Sequence, residues 1–498
     1  MLLDQELLRF IFGLKLRSIR QEKRYSLKVL ARATGLSPSY INEIEKGKKY
    51  PKTDKIILLA DALGVAYDDL ISLRLKAELR NITQILERNL LKGLPFDVFG
   101  IPAHSLFELI ADRPHQLSAL IGTLLELARA HNIAVEDFFA ATLRAFLDMN
   151  RNFFPDIEER VRVFEWQLQP DMTPDMVVQS LTKLLTERFG CQVSEEDFAA
   201  VAPDLAGLFY FQVQRRDGER FSLNRKLSSR EKAFVLAKEL GYFVLGVKER
   251  PESSHARNLD SYEALVNNLK ASYFASALLV PLERFVEEVR TFVARPAWDA
   301  AQFNGWALSY PGTMATFYHR LAQVLPTYFN MGEIFYIRFA YDSAQRRFVM
   351  VNELHLSQLH GPHRVNASEH YCRRWISSVL LERLATDKSE EQVTGIQRSR
   401  FFGSDNEYLC FSTAYRSELE DGRFECSTLG IMVNPVARGQ IRFVDDEAII
   451  RRHVGDTCEQ CAITPCAERS APPVHHDRKV REQRVQSALE AVIRERSQ

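Results

Sequence analysis

Between Ser26 and Glu45 the chain has little conformational choice. The run SLKVLARATGLSPSYINEIE offers Ser26 as an N-cap, Gly35 as the left-handed residue that ends a helix, and Pro38 at a first helical position, where a missing N–H costs little. Two helices follow, Leu27 to Thr34 and Pro38 to Glu45, with Leu36 and Ser37 as the bend between them. Leu14, Leu16, Ile19 and Arg20 belong to a helix before them, and Asp54 to Leu63 gives a fourth, closed by Gly64. Ala31, Gly35, Leu36, Ile41 and Ile44 fall where these helices must pack. That leaves Ser37, Ser39, Tyr40, Asn42 and Glu43 near or on the outward face.

Two short helices joined by a tight glycine-containing turn make a helix-turn-helix unit, whose second helix lies in a DNA major groove. The charge agrees. Residues 1–76 hold 15 Lys/Arg and nine Asp/Glu, a net of +6, against zero for the whole chain. Lys46, Lys48 and Lys49 gather just past the recognition helix, where phosphates run, and Lys28 stands at the start of the helix before it. The expected DNA-contacting set is Lys28, Ser37, Ser39, Tyr40, Asn42, Lys46, Lys48 and Lys49. Over residues 10–72 this segment resembles the phage-repressor (Cro/C1, or XRE) class of helix-turn-helix domains, which implies double-stranded DNA as partner. A helical bundle that binds protein is the alternative reading of the same pattern.

At 498 residues the chain exceeds one core, and two to four domains are expected. Hydrophobic residues make up 46% and charged residues 26%, the balance of a soluble globular protein. No run of about 18 apolar residues spans a bilayer. The start, MLLDQELLRF, has no basic region followed by an apolar stretch and cleavage site, so a cytoplasmic location is expected. Seven cysteines, three of them within nine residues, suit metal ligation in a reducing compartment better than a disulfide framework.

Residues 80–170 read as a helical connector, in which His104, His115 and His131 are scattered and nothing catalytic stands out. Thr173 to Phe189 is then a helix, and LFYFQVQRRDGERFSLNR is a hairpin turning at Asp217-Gly218. SSREKAFVLAKELGYFVLG follows as a helix capped by Ser228 or Ser229, and a further helix runs through SYEALVNNLKASYFASALLVP. This order resembles the ImmA/IrrE metallopeptidase-like domain, whose members carry His-Glu-x-x-His on the first of these two helices. The resemblance puts Lys238 and Tyr242 at the histidine positions, leaves Glu239 at the general-base position, and offers only Asn268-Leu269-Lys270 for the acidic third ligand. A lysine ammonium repels zinc and tyrosine is a poor neutral-pH ligand, so no metal-activated water is expected. Glu239 reads as an ordinary helix-surface carboxylate, and an active metallopeptidase is the reading least supported.

Beyond residue 300 the pattern turns to alternating stretches. EIFYIRFAYDSAQRRFVMVNEL, SRFFGSD, EYLCFSTAYRS, RFECSTLGIMVN and GQIRFVDD read as strands of a five- or six-stranded antiparallel sheet with helices on one side. Cys458, Cys461 and Cys466 then show C-x2-C-x4-C spacing, common to zinc and iron–sulfur sites, with His475, His476, Cys426 and Cys410 as candidates for a fourth ligand. With Arg469 and the stretch FYHRLAQVLP, this end resembles the short-chain fatty-acyl transcriptional regulators. The resemblance implies control of short-chain acyl or carboxylic acid metabolism through an acyl-CoA or CoA effector, and a 4Fe-4S cluster on the cysteines. The fold class expected is therefore multidomain α+β. It comprises an all-α helix-turn-helix domain (10–72), a connector (80–170), a degenerate zincin-like domain (171–290), an antiparallel-sheet sensor domain with a cysteine cluster (300–475) and a charged helix (477–498). A ligand-controlled homodimeric or higher homo-oligomeric DNA-binding regulator fits these parts, and an antitoxin-like or scaffold regulator governed by a protein partner is the alternative.

Overall fold

The computed structural model describes residues 2–72, 123, 126, 135–165, 172–215, 218–254, 262–356, 369–387, 389–417, 419 and 422–496. The chain divides into two compact units, Met1–Thr142 with Ser261–Glu263, and Leu143–Asp260 with Ala264–Gln498.

The first unit contains α1 (Leu2–Glu22), α2 (Leu27–Thr34), α3 (Pro38–Glu45), α4 (Thr53–Leu63) and α5 (Tyr67–Ile71). Ser26 and Ser37 cap α2 and α3, accepting from the N–H groups of Val29 and Tyr40 at 3.2 and 3.1 Å. Gly35 ends α2 in the left-handed region at φ +70°. Leu30, Ala31, Ile41, Ile44, Ile56 and Leu59 close over Phe12 and Leu16 as one apolar core. Gly13 is what lets α1 approach α3: a Cβ there would stand 2.3 Å from the Ile44 carbonyl oxygen. Arg20 ties the same corner, donating to both oxygens of the buried Glu45 carboxylate at 2.6 and 2.8 Å. The connector expected over residues 80–170 falls largely outside the described residues, which hold α6 (Val135–Met149) and α7 (Pro155–Glu165) of it.

The second unit opens, after α7, with α8 (Pro174–Phe189), β1 (Gln192–Glu196), α9 (Phe198–Val201), β2 (Tyr210–Arg215), β3 (Gly218–Asn224), α10 (Ser229–Leu245) and α11 (Tyr262–Leu279). The strands form a sheet in the order β1-β3-β2, with β1 parallel to β3. The expected hairpin is there, with Gly218 pairing with Arg215 as part of β3 rather than of the turn, while Asp217 lies outside the described residues. Ser228, not Ser229, caps α10, in a capping box with Glu231.

Next come α12 (Leu282–Val293), α13 (Ala300–Leu308) and α14 (Met314–Tyr328), then β4 (Ile334–Asp342), β5 (Arg347–His355), α15 (Ile376–Thr386), β6 (Gln392–Phe401), β7 (Glu407–Arg416), β8 (Arg423–Met432), α16 (Pro435–Gln440), β9 (Ile450–Val454) and α17 (Val474–Arg496). Six strands pair in the order β5-β4-β8-β7-β6-β9, antiparallel except for β9 alongside β6. Two expectations need correction. GQIRFVDD is not a strand: Asn434 caps a short helix by accepting from the Ala437 N–H at 2.9 Å, and Phe443 beyond it packs on Phe292 and Trp298. The sixth strand is Ile450–Val454, which carries two arginines and a histidine between its apolar ends and so gives no strand alternation. Helices also cover both sheet faces rather than one. Leu380, Leu381 and Leu384 of α15 pack on Val393, Cys410 and Cys426, while Tyr318 of α14 reaches Thr413 on the opposite face at 3.1 Å.

One buried ion pair joins the parts of this unit. Arg320 on α14, 0% exposed, donates to both oxygens of Glu158 on α7 at 2.6 and 3.0 Å and to the Val280 carbonyl, just past α11, at 2.9 Å. Tyr273 of α11 donates to Glu158 at 2.6 Å. Removing one member strands the other charge in a dry interior. Arg320→Ala should therefore lower unfolding free energy by about 3 to 5 kcal/mol. A urea melt of the full chain checks this, and a change below about 1 kcal/mol would contradict the buried-pair reading.

Candidate functional site

The outward face of α3 is built as a reading surface. Ser39 is exposed and Tyr40 and Asn42 half-exposed, while Ile41 and Ile44 on the opposite side are buried at 0%. Ser37 is exposed, but its oxygen serves as the N-cap acceptor. Lys28 and Lys48 are exposed and Lys46 half-exposed. Lys49 is more engaged than the sequence suggests: it pairs with Glu43 at 2.8 Å and lies 5.8 Å from the Tyr40 ring centre. It therefore steadies Tyr40 as well as adding charge.

The would-be zinc site occupies the middle of α10. Lys238 lies over the rings of Tyr210 and Tyr242, at 5.8 and 5.9 Å. The Tyr242 hydroxyl donates to Asn268 of α11 at 2.9 Å, so two of the three ligand positions now bond each other. Glu239 is not the surface carboxylate expected, since it is only 2% exposed and accepts from Arg250 at 2.5 Å. Arg250 also pairs with Glu219 of β3 and lies over the Tyr242 ring at 5.4 Å. The guanidinium supplies beside Glu239 the positive charge that a metal supplies in a working peptidase, and these residues do not fit zinc. Nothing in the spacing of AKELGYFVLG pointed to Arg250, because it comes from the loop after α10.

Burial dominates the electrostatics there. It pushes Glu239 up to about 7 despite the opposing Arg250, and Lys238 down to about 8. Both shifts lower the charge held inside.

The cysteine segment surrounds a small hollow. Cys458, Cys461 and Cys466 line it as expected, and so does Cys372, which the sequence reading had not placed there. Cys372 arrives because its segment zips along residues 456–458. The Cys372 N–H donates to the Asp456 carbonyl at 3.1 Å, the Cys458 N–H to the His370 carbonyl at 2.8 Å, and Tyr371 bridges Thr457. Arg469 braces the loop from within, donating to the carbonyls of Cys458, Cys461 and Ile463 at 2.8, 3.1 and 2.7 Å. None of the other proposed fourth ligands lines the hollow. Cys410 and Cys426 lie within the apolar layer under α15, each thiol pushed up to about 12 by burial, and His475 faces Glu369 at 3.4 Å. His476 is held by its backbone N–H on the Glu459 carbonyl at 3.1 Å. Among the described residues no three metal-ligating side chains already stand gathered for an ion, so the thiols are neighbours around a space rather than a preformed cage.

A pH test follows from Lys238. Below about pH 8 both folded and unfolded chains carry its charge, and folding bears the full burial cost. From about pH 8 to 10.5 the folded lysine is already neutral while the unfolded chain still binds the proton, so this contribution to stability rises with pH. Lys238→Met should be more stable than the parent below pH 8 and lose that advantage towards pH 10.5. Paired denaturant melts across this range would reveal a constant difference if the lysine were solvated.

Comparison with known proteins places two segments. Residues 16–70 match the helix-turn-helix family, and residues 186–295 match the IrrE N-terminal-like domain. The HTH-type transcriptional regulator RamB of Mycobacterium tuberculosis, from strains CDC 1551 / Oshkosh and ATCC 25618 / H37Rv, is 25% identical over 335 residues, 62% of this chain. The chain spans 64% of the length of those relatives. The HTH-type transcriptional repressor RghR of Bacillus subtilis (strain 168) is 39% identical over 61 residues, 12% of this chain and 45% of its own. A solved structure described as a Mycobacterium tuberculosis transcriptional regulator covers 66% of this chain and 92% of its own, at 18% identity and a TM-score of 0.45. The chain thus carries an XRE-type helix-turn-helix domain together with an IrrE-like domain and is homologous to the RamB regulators.

Proposed function

We propose that the chain is a sequence-specific, DNA-binding transcriptional regulator with no catalysis of its own. The observation that carries this is the outward face of α3: Ser39, Tyr40 and Asn42 on a helix locked from behind by Ile41 and Ile44, with Lys28, Lys46 and Lys48 around it. Polar side chains on such a helix read base edges, and the lysines take phosphates. The IrrE-like domain acts as a coupler, since Lys238, Tyr242 and Asn268 bind one another or the protein rather than a metal. The resemblance at the C-terminal end supports an acyl-CoA or CoA effector and genes of short-chain acyl or carboxylic acid metabolism. It also supports an iron–sulfur cluster or zinc on Cys458, Cys461 and Cys466. Effector binding shifts the population of geometries in a homodimer or higher homo-oligomer, and so the spacing at which two α3 helices meet successive major-groove turns.

Recovering genomic fragments bound by the full chain tests the reading, because an enriched sequence with a shared motif is required by it. On that motif, Lys48→Ala should weaken binding equally for matched and mismatched sites and lower the salt slope by about one. Asn42→Ala and Tyr40→Ala should instead narrow the gap between matched and mismatched sites. Unaltered binding in all three variants would remove α3 from the groove. Added zinc should yield no peptide-bond cleavage, and turnover abolished by Glu239→Gln would reinstate the peptidase.

A further inference from the structure

Helix α17 runs for 23 residues and buries none of them. Its start is tied down, since the N–H groups of His475 and His476 donate to the Glu459 carbonyl at 3.0 and 3.1 Å. Beyond that turn, Arg478 lies 4.0 Å from Glu482 and Gln486 donates to Glu490 at 3.1 Å, both within the helix. A helix in water is marginal by itself, and most helices gain their stability by packing an apolar face. α17 has such a face and leaves it in solvent. Val485, Leu489, Val492 and Ile493 follow the i, i+4, i+7, i+8 spacing of one helical side, and they are 65, 58, 43 and 55% exposed.

The charges on that side indicate what covers it. Glu482 stands seven residues before Leu489 and Arg496 seven after, about two turns each way, so the two bracket the apolar residues on one face. Their signs are opposite and their distances equal, which makes the face self-complementary about a two-fold axis at Leu489. Antiparallel pairing sets Leu489 against Leu489 of a second copy, Val485 beside Ile493 of that copy, and Glu482 against its Arg496, each contact made twice. Parallel pairing in register would set Glu482 against Glu482 and Arg496 against Arg496, which like charges oppose. Arg484 and Arg494 lie five residues to either side of Leu489 and so fall on the back of the helix, where their charges stay in water.

Resting on the homo-oligomeric regulator proposed above, we infer that α17 is a subunit contact, pairing antiparallel with α17 of a second copy through Glu482, Val485, Leu489, Val492, Ile493 and Arg496. Four apolar side chains cover far less than the roughly 800 Å² per partner of a stable interface, so this pairing is weak and reversible by itself.

Sedimentation of the full chain across a wide concentration range tests it. The parent should self-associate reversibly. Leu489→Glu places two carboxylates at the two-fold axis and should raise the dissociation constant at least about tenfold. Glu482→Arg and Arg496→Glu should each raise it about threefold, and the double variant should return it to the parent value, because exchanging the charges restores both pairs. All three side chains are exposed, and unchanged circular dichroism confirms that each variant keeps its fold. A parent that stays monomeric at every concentration would remove the homo-oligomer and this contact with it. A self-associating parent whose constant ignores Leu489→Glu would overturn the contact and leave the oligomer in place. Weakening by both single charge variants with no recovery in the double would overturn the antiparallel pairing.

Discussion

The second unit is organised around a charge that water cannot reach. Arg320 lies on α14 beneath the large sheet, Glu158 on α7 and Tyr273 on α11, so three separate helices share one hydrogen-bonded node. The pair has to be complete to be tolerated, because a lone guanidinium or carboxylate in that interior bears its desolvation cost unrelieved. Geometry follows from the requirement. Arg320 Nε is committed to the Val280 carbonyl and one Nη also reaches Gln323, so the three segments cannot slide past one another without breaking several charge-assisted bonds together. Such a node favours one arrangement over its neighbours.

The pocket around Glu239 obeys the same electrostatic rule by a different route. A buried carboxylate needs a cation, and a metalloprotease meets that need with zinc. Here Arg250 meets it, shared with Glu219. The lysine at the first ligand position survives because Tyr210 and Tyr242 offer it ring faces and because burial lowers its proton affinity. The domain has its helices, its hairpin and a polar interior, in which Tyr242 bonds Asn268 and Glu239 bonds Arg250. These pairings hold Glu239, Tyr242 and Asn268 in fixed positions.

In the cysteine hollow, polar groups are again not all satisfied from within. Arg374 Nε and Thr457 Oγ1 lack partners while thiols line the same wall. A native interior seldom leaves such donors unanswered.

Local rules made much of this legible in advance. Ser26, Gly35, Ser37 and Pro38 determine α2 and α3 through capping and fixed dihedrals, which act within four residues and need no fold to operate. Lys238 and Tyr242 argue against zinc by side-chain chemistry, and the spacing of Cys458, Cys461 and Cys466 singles out the loop that lines the hollow. What the chain could not reveal by itself were relations across long separations. Glu239 read as exposed until Arg250 folded over it, GQIRFVDD read as a strand until Asn434 nucleated a helix ahead of it, and IRRHV joined the sheet only because β6 had a free edge. Cys372 gave no spacing signal at all, because it lies 86 residues before Cys458. Backbone pairing between residues 370–372 and 456–458 brings it to the hollow, and such pairing exists only once the tertiary fold has closed the loop between them.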